Sequence, residues 1–270
     1  MLNHWPEYAM EAALLGSFML SACTLGVLLW HPRSMFARVP DGVARRALMG
    51  VAMGLTAIAL IYSPWGQQSG AHMNPATTLT FFLRGKVAPW DAVFYAAAQF
   101  VGGTAGVALA RLVLRDWLRH QAVDHVVTRP GRRGVAVAWV AELAIAFGMM
   151  FTVLYASNDA ALTAYTGLFA GALVALYITF EAPLSGMSLN PARSFASSIV
   201  ARRWSAYWVY MTAPVAGMLL ASAAYAALPE HDRVYCAKLD HCNNHRCIFN
   251  CEFDQLEARR RPAHAETTGP

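Results

Sequence analysis

The hydrophobic positions of this chain fall into long apolar runs separated by short polar ones. Six runs approach the roughly 20 residues that a membrane-crossing helix needs: residues 9–30, 47–62, 90–114, 135–155, 162–180 and 207–228. The second is short and is predicted to begin near Val43, with Arg45 and Arg46 at its flank. Two weaker apolar pieces, residues 75–83 and 191–200, are too short to span. At 1.5 Å per residue each makes about half a crossing, so together they predict one composite seventh span.

Both short pieces open with the same triplet, Asn74-Pro75-Ala76 and Asn190-Pro191-Ala192. Asn is among the best N-caps, and Pro is favoured at the first helical position, where its missing N–H would be unpaired anyway. Each triplet therefore reads as a helix start. A helix that begins in mid-membrane is tolerated only where its irregular lead-in is buried in protein or lines a water-filled cavity. Two such starts predict a pore. If each Asn caps through its side-chain oxygen, its amide NH2 is expected to stay free as a donor toward that pore. The positive ends of the two half-helix dipoles would meet there and disfavour cations.

The duplication extends beyond the triplet. Glu11 lies in the first run and Glu142 in the fourth; Gly50/Gly54 in the second and Gly167/Gly171 in the fifth are glycine pairs at four-residue spacing. From Gly54 to Asn74 is 20 positions and from Gly171 to Asn190 is 19. Three spans and a half-helix, written twice, must give inverted repeats, which bring the two motif sites together near the midplane. Gly102/Gly106 in the third run is a further pair that lets helix backbones approach closely.

Ser69-Gly70-Ala71-His72-Met73-Asn74-Pro75-Ala76 and Ser185-Gly186-Met187-Ser188-Leu189-Asn190-Pro191-Ala192-Arg193-Ser194 resemble the two signature loops of the aquaporin, or major intrinsic protein, family. The resemblance covers about residues 8–228 and includes both motifs, the Arg after the second, the paired Glu residues and the span order. It implies an all-α membrane protein: a right-handed bundle of six helices and two re-entrant half-helices, assembled as a homotetramer with one pore per subunit. It further implies that Arg193 is the constriction arginine, with Ile178, Met187 and either Met53 or Gly54 as its partners. Glu11 and Glu142 are expected to accept hydrogen bonds from the re-entrant loops, and His72 to sit at the cytoplasmic mouth. Strict water channels tend to carry a His where this chain has Ile178, and an aromatic in the second span. Ser194 and Tyr207-Trp208 instead resemble water channels rather than glycerol facilitators.

The expected function is thus a passive channel for water and small neutral solutes that excludes protons and ions, in the manner of a bacterial-type water channel. The alternatives are a facilitator for glycerol, urea, ammonia or a metalloid hydroxide with water secondary, and a coupled secondary transporter, which would need an ion site at the midplane. No enzyme signature is present, and the pore calls for no cofactor. Glu181 has no partner in the first repeat. Leu20-Ser21-Ala22-Cys23 resembles a lipidation box, but the preceding stretch lacks Lys and Arg and the apolar run continues to Trp30, so Cys23 is expected to be a packing residue.

Composition agrees with membrane residence: 57% hydrophobic and 14% charged residues, with mean hydropathy +0.36. Net charge is +5, carried by loops that read as headgroup-facing rather than nucleic-acid-binding. The family's topology puts both termini in the cytoplasm of an inner or plasma membrane. That leaves Arg33, Arg38, Arg45, Arg46, Arg111, Arg115, Arg119, Arg129, Arg132 and Arg133 outside, against the positive-inside rule.

The channel unit is assigned to residues 1–229, with repeat halves at about 8–115 and 134–228, and a tail to 230–270. In the tail Cys236, Cys242, Cys247 and Cys251 accompany His231, His241 and His245, followed by Arg259, Arg260 and Arg261. Thiolates and imidazoles suit zinc or another soft metal. A site of Cys236, Cys247 and Cys251 with His241 or Cys242, disulfide or redox chemistry, and an inert, partly disordered tail all stay open.

Overall fold

The computed structural model describes residues 3–39, 42–229 and 233–260; His231 and Arg261 lie outside them. Among the described residues every regular element is helical: α1 (Trp5–Trp30), α2 (Gly42–Ile61), α3 (Pro64–Ser69), α4 (Pro75–Leu83), α5 (Pro89–Arg119), α6 (Val135–Ser157), α7 (Thr166–Phe180), α8 (Ala182–Ser185), α9 (Pro191–Ala201), α10 (Tyr207–Ala226) and α11 (Phe253–Arg260). Six of these, α1, α2, α5, α6, α7 with the turn before it, and α10, are long and apolar enough to cross a membrane. Their outward faces expose Val101, Leu112, Leu176, Phe180 and Leu220, an apolar surface of the kind that faces lipid. The third span follows its expected end closely, because the helical path breaks at Arg115, whose φ is 47°.

The principal helix pairs are α1 with α5, α6 with α10, and α2 with α7. The first two are equivalent pairs in the two repeats, and the third joins the repeats. All are brought together by glycine. A Cβ on Gly102 would lie 2.0 Å from the Ala12 carbonyl oxygen, and one on Gly106 would lie 2.2 Å from that of Gly16. Across α2 and α7, a Cβ on Gly54 would meet the Gly171 oxygen at 2.5 Å. Gly102→Val should therefore force α1 and α5 apart. A lower melting temperature and loss of monodisperse protein in detergent would be the readout, with Gly42→Ala as the comparison, since a Cβ there would meet only the end of the Arg46 side chain at 3.5 Å.

The two re-entrant segments repeat each other in detail. α3 and α8 are short helices with Pro in the first turn, and each ends on a left-handed glycine, Gly70 or Gly186, both with φ of 90°. The chain then passes through two left-handed residues, Ala71 and Met73 or Met187 and Leu189, before the extended caps Asn74 and Asn190 open the half-helices α4 and α9. Cys23 is fully buried within an unbroken α1, as a packing residue would be.

The described part of the tail is packed against the body. Residues 234–240 are all buried. They are fixed by contacts with the body: Leu239 N–H donates to the Gly70 carbonyl at 3.2 Å and Asn250 N–H to that of Lys86 at 2.9 Å. Tyr235 N–H donates to Asn158 Oδ1 at 2.6 Å, and Lys86 pairs with Glu252 at 2.8 Å.

Candidate functional site: a two-repeat pore

Each Asn of the two motifs caps its own half-helix. Asn74 Oδ1 accepts from Ala76 N–H at 2.9 Å, and Asn190 Oδ1 accepts from Ala192 and Arg193 N–H at 2.9 and 3.2 Å. The amide groups depart from the expectation that they stay free. Asn74 Nδ2 donates to the Leu189 carbonyl at 2.8 Å, and Asn190 Nδ2 donates to that of Met73 at 2.7 Å. Left-handed backbone at Met73 and Leu189, with φ of 47° and 60°, accompanies these carbonyls. An amide NH2 has two donors, so each Asn spends one on locking the two repeats together and keeps one for the cavity that both residues line.

The buried acids hold the loops that lead into these caps. Glu11 accepts from Ser69 Oγ at 2.9 Å, His72 N–H at 3.0 Å, Met73 N–H at 2.7 Å and Gln99 Nε2 at 2.7 Å. Glu142 accepts from Ser185 Oγ at 2.7 Å, Ser188 N–H at 2.6 Å and Leu189 N–H at 2.8 Å. A re-entrant loop has no ladder to pair its N–H groups, and a carboxylate with two oxygens satisfies several at once. Sequence reasoning missed the groups that complete this support. Tyr95 donates its hydroxyl to the Ser69 carbonyl at 2.8 Å, and Tyr210 donates to the equivalent Ser185 carbonyl at 2.6 Å. Aligning the third span on the sixth would have exposed the pair.

Between the repeats lies a cavity of about 350 Å³. Its lining includes Arg193, Ile178, Met187, Met53, both motif Asn residues and His72. Arg193 Nη1 donates to the Val126 carbonyl at 2.9 Å, which fixes the guanidinium while leaving further N–H donors. Val126 sits in a run of three left-handed residues, 124–126. Of the two second-span alternatives, only Met53 borders the cavity. Gly54 is turned to the α2–α7 contact: one helical step, about 100°, separates the two directions. Met49, which the motif alignment did not select, also lines the cavity.

His72 lies at the end of the cavity where the tail crosses. Its ring stacks between Phe81 and Phe249, with centroids 5.2 and 5.3 Å away. Nε2 meets the Ala237 carbonyl at 2.8 Å; a carbonyl only accepts, so Nε2 carries the proton. Leu239 of the tail joins the cavity lining. Glu181, the acid without a repeat partner, holds both carboxylate oxygens buried and without a hydrogen bond. Ser194 bonds with Thr128 Oγ1 at 2.6 Å and Ser188 Oγ at 2.5 Å, so it supports the second loop. Among the described residues, the group suited to a metal is Cys236, His241, Cys247 and Cys251, in the tail.

Six spans enclosing two half-helices whose capping asparagines each bond the other repeat's loop, beside a shared cavity, define a membrane channel built from inverted repeats. Residues 5–225 match the family model described as Major intrinsic protein. The chain is 35% identical over 219 residues to Aquaporin NIP1-4 of Oryza sativa subsp. japonica, covering 80% of this chain and 75% of that one. It is also 35% identical over 219 residues to Aquaporin-5 of Rattus norvegicus, covering 74% and 77%. In fold it is similar to the aquaglyceroporin from Plasmodium falciparum, with a TM-score of 0.66 at 16% identity, over 83% of this chain and 96% of that one. The chain belongs to the major intrinsic protein family. It is an integral, multi-pass membrane protein and a passive channel for water or small neutral solutes.

Proposed function

We propose that the chain conducts water together with at least one small neutral solute, and excludes protons and ions. The observation that carries this reading is the pair Asn74 and Asn190, each bonded to the other repeat's carbonyl at the cavity wall. The arrangement supports a midplane where a passing oxygen is met by donors at the positive ends of α4 and α9. Arg193 supplies a second, fixed barrier to cations. Met53, Ile178 and Met187, which line the same cavity, have side chains with no donor that would narrow the passage to water alone. The channel unit is residues 1–229, and its subunits assemble as a homotetramer. The pore side chains have conduction rather than reaction chemistry as their task.

Stopped-flow permeation of water, glycerol, urea and ammonia into proteoliposomes tests this, with reduced protein read as purified and after a metal chelator. Water flux above that of empty vesicles in at least one state, plus flux of one solute, is expected. No flux in either state would overturn the channel reading. Ile178→His should lower solute flux more than water flux, because it adds bulk and a donor beside Arg193; an equal fall in both would argue against Ile178 as a selectivity position.

Both termini are assigned to the cytoplasmic side of an inner or plasma membrane. A reporter active only in the cytoplasm, fused after Pro270, should give signal. Signal only from a reporter of the opposite compartment would invert the assignment and leave the passive pore chemistry intact.

A further inference from the structure

The tail contains a group of side chains that the pore does not use. Cys236 Sγ lies 3.6 Å from Cys247 Sγ, and Cys251 Sγ lies 3.0 Å from His241 Nε2. The four ligand atoms all fall within 4.8 Å of one another. Tetrahedral zinc with Zn–S near 2.3 Å and Zn–N near 2.05 Å has ligand-to-ligand edges of about 3.5–3.8 Å. The set therefore closes onto one ion by side-chain adjustments of about an ångström. We propose that Cys236, His241, Cys247 and Cys251 bind one zinc-class ion, which clamps the tail over the pore end marked by His72. The clamp's effect on flux rests on the channel reading above; the metal site does not.

Three further features fit a built site. His241 is held by stacking on Phe253, with centroids 4.2 Å apart, as a ligating imidazole usually is oriented by its surroundings. Three thiolates and one divalent ion leave a net charge of −1, and buried Lys238 has all three thiols among its charge neighbours. Lys238 Nζ also donates to the His245 carbonyl at 2.9 Å, which ties the loop between the ligands. Cys242, the alternative fourth ligand from the sequence, is exposed and outside the group.

The site is wired to the pore. Between Cys236 and His241 the chain places Ala237 on His72 and Leu239 against Gly70 and the cavity. Asp240 accepts from Gln67 Nε2 at 2.9 Å. Between Cys247 and Cys251 it places Phe249 on the other face of His72. The four ligands come from irregular chain, so an ion would add a cross-link to the contacts that seat the segment on the body.

Elemental analysis of the full-length protein, purified reduced, then incubated with zinc chloride and freed of loose metal, should find one zinc per chain. Cobalt(II) in its place should show the intense thiolate charge-transfer and tetrahedral d–d bands. Cys236→Ser and Cys251→Ser should lose the metal, and Cys242→Ser should keep it. In proteoliposomes, chelation of the wild type should raise water flux, and readdition of zinc should lower it. Absence of metal in both the purified and the zinc-treated protein would overturn the site, as would loss of metal from Cys242→Ser equal to that from Cys236→Ser. Equal flux with and without zinc would overturn the clamp while the channel stands. Absence of flux in both states, with zinc bound, would overturn the channel reading and leave the metal site in place.

Discussion

Arg193→Val should make the channel leak protons or monovalent cations while water continues to pass. Arg193 and Arg46 both line the cavity; Arg193 is the permanent charge beside the second motif, held by the Val126 carbonyl at 2.9 Å. A unit charge acting on a cation about 8 Å away at an effective dielectric near 20 raises its energy by about 2 kcal/mol, a factor of about thirty in rate. Valine removes that repulsion and widens the space. Water carries no net charge, so its flux loses only the donors. The half-helix dipoles at Asn74 and Asn190 remain, so the leak stays below that of an open cation pore. Proton flux read by an entrapped pH dye, alongside stopped-flow water permeability, decides the matter in chelator-treated protein. Unchanged proton flux in a folded variant would move the cation barrier away from Arg193.

The parts of this architecture that depend on local chemistry were legible in the chain. Asn followed by Pro fixes a cap and a first turn within three residues, so α4 begins where the motif places it and ends at Leu83 as the hydrophobic run does. The paired Glu residues were visible because each lies at the same place in its repeat. What depends on rotation about a helix axis was not. Met53 and Gly54 are neighbours in sequence, and only the packing of Gly54 on Gly171 shows which of them turns to the cavity. The second donor of each motif Asn was hidden for a related reason. Its acceptor is a carbonyl more than a hundred residues away, turned inward by a left-handed residue that composition does not reveal. The tail was least legible, since its order comes from contacts with Gly70, His72, Lys86 and Asn158 that no local pattern encodes.

Glu142→Gln should destabilise the protein more than Glu11→Gln, although the two acids hold equivalent loops. In both, a Gln keeps the shape and one acceptor oxygen but turns an NH2 toward a donor. At Glu142 the donors are Ser185 Oγ and two backbone N–H groups, of Ser188 and Leu189. If the new NH2 replaces Oε2, Leu189 N–H loses its acceptor; if it replaces Oε1, Ser188 N–H does. Only the Ser185 hydroxyl can rotate to accept. An unsatisfied buried donor costs about 1–3 kcal/mol, more where the lost acceptor is charged. At Glu11 one of four donors is the side chain of Gln99, whose Oε1 is buried without a hydrogen bond. That amide can turn over and offer its oxygen to the new NH2, recovering part of the loss. Leu189 also carries the carbonyl that receives Asn74, so the damage at Glu142 reaches the motif junction directly. Thermal melting in detergent should therefore fall for both variants and further for Glu142→Gln, with water flux per folded channel reduced in the same order. Glu11→Gln combined with Gln99→Leu should remove the recovery and bring the two loops level. Were either acid a proton-coupling group instead, its Gln variant would melt like the wild type and lose only a pH-driven component of transport, and the assignment of both acids as loop acceptors would fall.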